Sequence, residues 1–278
     1  MLGVLIFLED DKVICGIDEA GRGPVIGPLV MCGFNIRPSE EKILHELGVN
    51  DSKKLTPAKR EDIAAALKKR FTDFHLIIFD PREIDARASN GMNLNDLEAF
   101  GTSQILNLLK PTHAILDCPA ANPQNYVAGL DKWLTHRVNI RAEYKADANH
   151  LCVGAASILA KVERDRLISE LKKKHSVDFG SGYPSDPKTI DFVKRNWNNY
   201  PGLFRTTWDT WKTIAMARTQ SSLSDFSAQE ERKVEVQKAV VNSSSTSQLP
   251  KPLIVQQPTT PSSPVPLVAE KASKKSKR

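Results

Sequence analysis

The chain has 278 residues, 40% hydrophobic and 26% charged, with a formal net charge of +6. That is an ordinary balance for a soluble enzyme with one sizeable core. No apolar run is long enough to span a membrane, and four cysteines without a CxxC pair argue against a zinc site and for buried free thiols. Nine Lys/Arg against five Asp/Glu lie from Thr219 onward, so most of the surplus charge belongs to the tail and any basic face of the body must be local.

Met1 to Leu8 is apolar but short, lacks a basic leader and runs into Glu9-Asp10-Asp11. It reads as the start of a strand rather than a signal peptide. The expected location is the cytoplasm, or the nucleus in a eukaryotic source. Val13 to Ile17 reads as a buried strand, and Val25 to Ile36 as a second one beyond a glycine-rich turn. Thr56-Pro57, a hydroxyl cap followed by proline, starts a helix through Arg70. Phe74 to Phe79 is a third strand, Asn95 to Leu109 a helix, and Ala114 to Leu116 a short strand ending at Asp117. A helix over Pro123 to Thr135 and a strand over Arg137 to Tyr144 follow. Leu151 to Lys174 is a long helix, with two more near Pro187 to Trp197 and Trp208 to Ala217. This order predicts an α/β fold with a mixed central sheet and a helical C-terminal section. Residues 1–218 form that body. Residues 219–278, rich in Ser, Pro and Lys, cannot bury enough apolar surface to offset their ordering entropy, and disorder is expected there.

Three apolar segments deliver acids. Gly16-Ile17-Asp18-Glu19 leads into Ala20-Gly21-Arg22-Gly23; Ala114-Ile115-Leu116 ends at Asp117; Lys145-Ala146-Asp147 precedes the long helix. Adjacent side chains on a strand face opposite ways, so Asp18 and Glu19 share a site only if the backbone turns between them. Alone, the Asp-Glu pair is more usually a solvated turn, and Asp117 or Asp147 a cap. Four converging carboxylates would repel one another unless cations neutralised them. An all-oxygen site suits hard ions, Mg²⁺ or Mn²⁺, and two such ions suit phosphodiester hydrolysis.

Five segments, in this order, resemble the ribonuclease HII family, closest to its archaeal single-chain branch: Gly16 to Pro28, Asp51-Ser52-Lys53-Lys54-Leu55, Lys145-Ala146-Asp147, Ala155 to Val162 with Arg164-Asp165, and Gly180 to Pro187. The resemblance covers about Val13 to Ala217 and implies a ribonuclease H-like fold. It assigns metal binding and catalysis to Asp18, Glu19, Asp117 and Asp147. It assigns recognition of a ribonucleotide's 2′-hydroxyl to the backbone of Gly21, Arg22 and Gly23, and stacking on the neighbouring sugar to Tyr183. Lys53, Ser157, Lys161 and Arg164 fit phosphate contacts or support of the acids. A structural role suits them equally. Arg205 belongs to a late segment of less defined role, and His150 is expected to be structural. The implied reaction is cleavage of RNA–DNA hybrids, and of DNA duplexes on the 5′ side of an embedded ribonucleotide, by a monomer. Gln220, Leu223 and Phe226 are spaced like the peptide that docks on sliding clamps, although Ser227 stands where a second aromatic is usual. A non-catalytic, clamp-tethered duplex binder and a DNA nuclease of the same superfamily are the alternatives.

Overall fold

The computed structural model describes residues 12–50, 52–220 and 231–235. The chain divides into two compact units, Met1–Ser224 and Asp225–Arg278, and the described part of the second is a helical turn over 231–235. Met1 to Leu8 lies outside the described residues, as does most of the tail.

One five-stranded sheet organises the first unit, in the order β3-β2-β1-β4-β5. β1 (Ile14–Ala20) pairs antiparallel with β2 (Leu29–Ile36) and parallel with β4 (His113–Asp117). β3 (Phe74–Phe79) and β5 (Asn139–Glu143) form the edges. The sheet is therefore mixed, as expected. β2 is buried throughout, because helices cover both faces. Alternate residues Val30, Cys32 and Phe34 join one apolar cluster, while Leu29 and Met31 join the other.

Side-chain caps set several helix starts. Thr56 accepts from the Lys59 amide before α2 (Pro57–Arg70), and Asn93 forms a reciprocal capping box with Asp96 before α4 (Leu94–Leu109). Asp186 caps α8 (Pro187–Asn196). The sequence reading omits α1 (Glu41–Glu46) and α3 (Pro81–Ser89). The Asp80-Pro81 start with Glu83 three residues on was a usable signal for α3, since it builds a second capping box. α5 (Pro123–Leu130) and β5 are shorter than expected. α6 (Ala146–Asn149) is a single turn, and α7 (Leu151–His175) follows it.

α7 crosses the sheet directly over β1. A Cβ on Gly16 would lie 2.2 Å from the Cys152 carbonyl carbon, so only glycine lets helix and strand approach this closely. Two strand boundaries differ from the sequence reading. β1 continues through Asp18 and Glu19 to Ala20. Val25 and Ile26 stand apart from β2, because Gly27 turns with φ +86° and their amides bond to the Gly182 carbonyl instead. The last helix, α9, spans 209–220, so residues 219 and 220 are helical rather than tail. A third apolar cluster, with Val25, Ile26, Phe179, Phe192 and Phe204, ties this C-terminal section to the Gly21–Gly27 connection.

Candidate active site

The first of the functional side chains is Asp18, on β1. It leaves the sheet on the face of Gly16 and Ala20, under α7, where Ser157 hydrogen-bonds it. The Lys161 ammonium donates to Ser157 Oγ at 2.8 Å, and the hydroxyls of Ser52 and Ser157 lie 2.9 Å apart. Asp117 ends β4 and accepts from the Ala146 amide at 3.0 Å. Asp147 is carried by α6, whose preceding residue, Lys145, holds the left-handed backbone conformation at φ 58°. A lysine there is strained, and it turns the chain sharply between β5 and α6. Lys53 reaches Asp147 at 3.3 Å. Asp18 and Asp147 are buried, and oxygens of Asp18, Asp117 and Asp147 all lie within 4.8 Å of one another.

Glu19 sits beside this cluster. Because β1 runs straight through it, its side chain leaves by the opposite face of the sheet, toward Arg22, Cys118 and Tyr126. No turn separates Asp18 from Glu19, so Glu19 stands outside the three-aspartate cluster. Both acids nevertheless border one cleft of 620 Å³, together with Gly21, Arg22, Gly23, Lys53 and Asp117. Lys161, Arg164 and Tyr183 complete its rim.

The acids are held at an electrostatic cost. Burial, opposed by Lys161 and Ser157 and reinforced by Asp117, raises Asp18 to about 6. Burial and then the Asp18 charge raise Glu19 to about 8. Burial also raises Asp117, with Asp147 adding to it. The Lys53 ammonium is partly desolvated, yet Asp147 and the neighbouring aspartates outweigh that and hold its proton more firmly. Hard carboxylate oxygens at this spacing fit a divalent cation. His150 does not join it; its Nε2 faces Glu143 at 3.2 Å.

The Gly21–Gly23 turn forms the facing wall. Gly21 has φ +88°, and a Cβ there would strike Arg164 Nε at 2.3 Å, so backbone and packing both demand glycine. Gly23 differs. A Cβ on it would meet only Tyr183 Cε1, at 3.9 Å, so the gap between turn and tyrosine is left open. Arg164 is buried, with its guanidinium 5.2 Å from the Tyr183 ring and its Nε donating to the Pro28 carbonyl. It lines the cleft while bracing the wall through the Pro28 carbonyl.

The residue whose role the sequence did not define is Arg205. It is fully buried and donates to three carbonyls, Gly21 at 2.6 Å, Arg22 at 2.9 Å and Gly27 at 2.9 Å. Trp208 Nε1 adds a bond to Gly23 at 3.2 Å. Nothing in the spacing of Arg205-Thr206-Thr207-Trp208 reports partners some 180 residues away. Gln220 is the last residue of α9 that is described, and Leu223 and Phe226 lie outside the described residues.

The family model for ribonuclease HII matches residues 15–211. The chain belongs to the ribonuclease HII family. It is 41% identical over 218 residues to the ribonuclease HII of Methanocella arvoryzae, covering 77% of this chain and 97% of that one. It is 40% identical to that of Pyrococcus abyssi, with 77% and 96% covered. Among solved structures, ribonuclease H2 from Pyrococcus horikoshii OT3 superposes with a TM-score of 0.67 at 39% identity, over 73% of this chain and 97% of that one. The ribonuclease HII in a PCNA complex from Archaeoglobus fulgidus gives 0.65 at 38%, over 71% and 95%. Bst-RNase HIII, at 20% identity and a TM-score of 0.65, shares the fold. The ribonuclease H-like fold and the ribonuclease H activity implied by the sequence are thus those of its relatives, and this chain is a ribonuclease H enzyme.

Proposed function

We propose that the enzyme hydrolyses the RNA strand of RNA–DNA hybrids and nicks duplex DNA on the 5′ side of single embedded ribonucleotides, leaving 3′-hydroxyl and 5′-phosphate ends. The observation that carries this is the juxtaposition of the Asp18–Asp117–Asp147 cluster with a backbone turn open at Gly23 and faced by Tyr183. Asp18, Asp117 and Asp147, with Glu19 at their side, would hold two Mg²⁺ or Mn²⁺ ions. Bound there, the ions supply an activated water and charge neutralisation at the departing oxygen.

The chain's own groups do the rest. The Gly21–Gly23 backbone, braced by Arg205 and Trp208, offers polar main-chain atoms to a sugar 2′-hydroxyl at a place where no side chain intervenes. Tyr183 offers a ring to the adjacent sugar. Lys53, partnered with Asp147, and Lys161, partnered with Ser157, put ammonium groups at the rim, where a backbone phosphate would pass.

PCNA is the partner of the Archaeoglobus fulgidus enzyme. The spacing of Gln220, Leu223 and Phe226 supports an equivalent clamp tether in this chain, which we place in the cytoplasm, acting as a monomer. The deciding assay uses a DNA duplex carrying one ribonucleotide, with Mg²⁺, Mn²⁺ and chelator controls. A metal-dependent nick 5′ of the ribonucleotide is expected. Cleavage of the all-DNA duplex at equal rate would instead favour a DNA nuclease on this fold, and binding without cleavage a non-catalytic module.

A further inference from the structure

A second cleft, of 370 Å³, is lined in part by the Gly21–Gly23 turn and by none of the four acids. Arg22 and Gly23 border both clefts, so the two adjoin at this turn. Its other walls come from Arg87, Leu94, Thr207, Trp208 and Asp209. We propose that this cleft is a second nucleic-acid subsite, in which Arg87 and Arg22, beside the Trp208 indole, bind a backbone phosphate of the duplex. This rests on the proposed cleavage of ribonucleotide-bearing duplexes.

Three observations carry the inference. The first is how Arg22 is fixed. Its guanidinium is gripped by Glu98, which is fully buried on α4, and by Asn95 at 2.8 Å. A buried carboxylate stabilises a fold poorly, since its desolvation offsets the attraction of its partner. Glu98 Oε1 even lacks a hydrogen-bond partner. Such a group makes sense as a device that holds a partly exposed arginine in one orientation between two clefts.

The second is Arg87. Its guanidinium lies 5.0 Å from the Trp208 ring and donates to Thr207 Oγ1 at 3.2 Å and to the Ile84 carbonyl. Neither partner is charged. The nearby Asp85 commits both carboxylate oxygens to the amides and hydroxyls of Thr206 and Thr207. Asp85 acts on Arg87 only through space, and among the described residues no carboxylate pairs directly with its guanidinium. Asp209 is the acidic residue of the rim, and its side chain turns fully into solvent. A guanidinium held on an indole, which Arg205 also covers at 4.9 Å, beside the second guanidinium of Arg22 suits a phosphodiester.

The third is coupling. Trp208 donates to the Gly23 carbonyl, so the indole that forms this cleft also sets the turn that faces the ribonucleotide.

The test is binding of an uncleavable all-DNA duplex across a salt series, using long duplexes and duplexes shortened on one flank or the other. It compares the full-length enzyme with Arg87→Gln and Arg87→Lys. One lost phosphate contact flattens the slope of log affinity against log salt by about 0.9 and weakens binding roughly fivefold near 0.15 M. That loss is expected for Arg87→Gln on the long duplex, with Arg87→Lys close to the parent. Shortening the flank that fills the cleft should weaken the parent by the same factor and Arg87→Gln no further. An unchanged slope for Arg87→Gln, or an equal loss on every duplex, would overturn the subsite. Failure of the parent to nick a ribonucleotide-bearing duplex would overturn the proposed reaction without touching this result.

Discussion

The floor of the cleft and its facing wall are built on opposite principles. The floor gathers like charges: Asp18, Asp117 and Asp147, carried by β1, β4 and α6, crowd together, and burial raises Asp18 and Asp117. The wall gathers neutral carbonyls around one buried cation, Arg205. The floor crowds like charges that a divalent cation would relieve. The wall is complete already and leaves open space at Gly23, which the proposed reaction gives to the substrate. A protein can afford repulsion where a ligand will relieve it, and rigidity where a ligand must be measured.

Substitutions can separate the two. The largest effect is expected at the floor. Asp18→Asn removes a metal-ligating oxygen, worth several kcal/mol of transition-state stabilisation, so cleavage should fall about a thousandfold or more while duplex binding survives. Undiminished turnover in single-turnover assays would remove Asp18 from the metal site. At the wall, Arg205→Ala strips three buried carbonyls of a charged donor. We expect a stability loss of roughly 3 kcal/mol by denaturant titration, together with reduced preference for ribonucleotides over deoxyribonucleotides. Loss of activity with unaltered preference would mean that Arg205 does not set the turn.

The floor also predicts a pH dependence. Asp18 has a folded value near 6, above its unfolded 3.8. The metal-free protein thus gains from this group below pH 4 and loses that gain as pH rises through 6; the raised Glu19 extends the decline toward 8. Divalent metal should reverse the loss, and Asp18→Asn should stabilise the metal-free enzyme by about 2 to 3 kcal/mol at pH 7.5. Thermal melts with chelator at pH 5 and 7.5 measure both, and a melting temperature that rises with pH through this window would contradict the burial of Asp18.

Smaller effects divide the wall itself. Gly21→Ala forces both a disfavoured φ and a clash with Arg164, so it should destabilise. Gly23→Ala has room to fold and should leave the melting temperature within a degree or two, while weakening cleavage beside a ribonucleotide. Tyr183→Ala should lose more activity at a single embedded ribonucleotide than on a long hybrid, by about tenfold, the scale of one sugar or base contact. Equal losses on both substrates would argue against a junction-sensing tyrosine.

Much of this was legible in the amino-acid order. Helix starts were announced by local chemistry, Thr56-Pro57 most clearly, because a cap is satisfied within three residues. The strands carrying Asp18 and Asp117 showed themselves as short apolar runs ending in acid. Where the reading failed, long-range pairing had intervened. Val25 and Ile26 looked like strand, but their amides belong to Gly182, more than 150 residues away. The sequence posed the question of a turn between Asp18 and Glu19, and the β1–β2 pairing through Ala20 answered it by keeping the strand extended.

By itself, then, the chain's order determined the elements, the acids and the glycines, since each follows from period, capping and residue type within a few positions. Only the tertiary structure decided which acids meet, that Glu19 leaves by the other face, and that Arg205 and Glu98 hold the turn and its arginine in place. Those are contacts between residues distant in sequence, and their free energy depends on burial and on partners that no local pattern encodes.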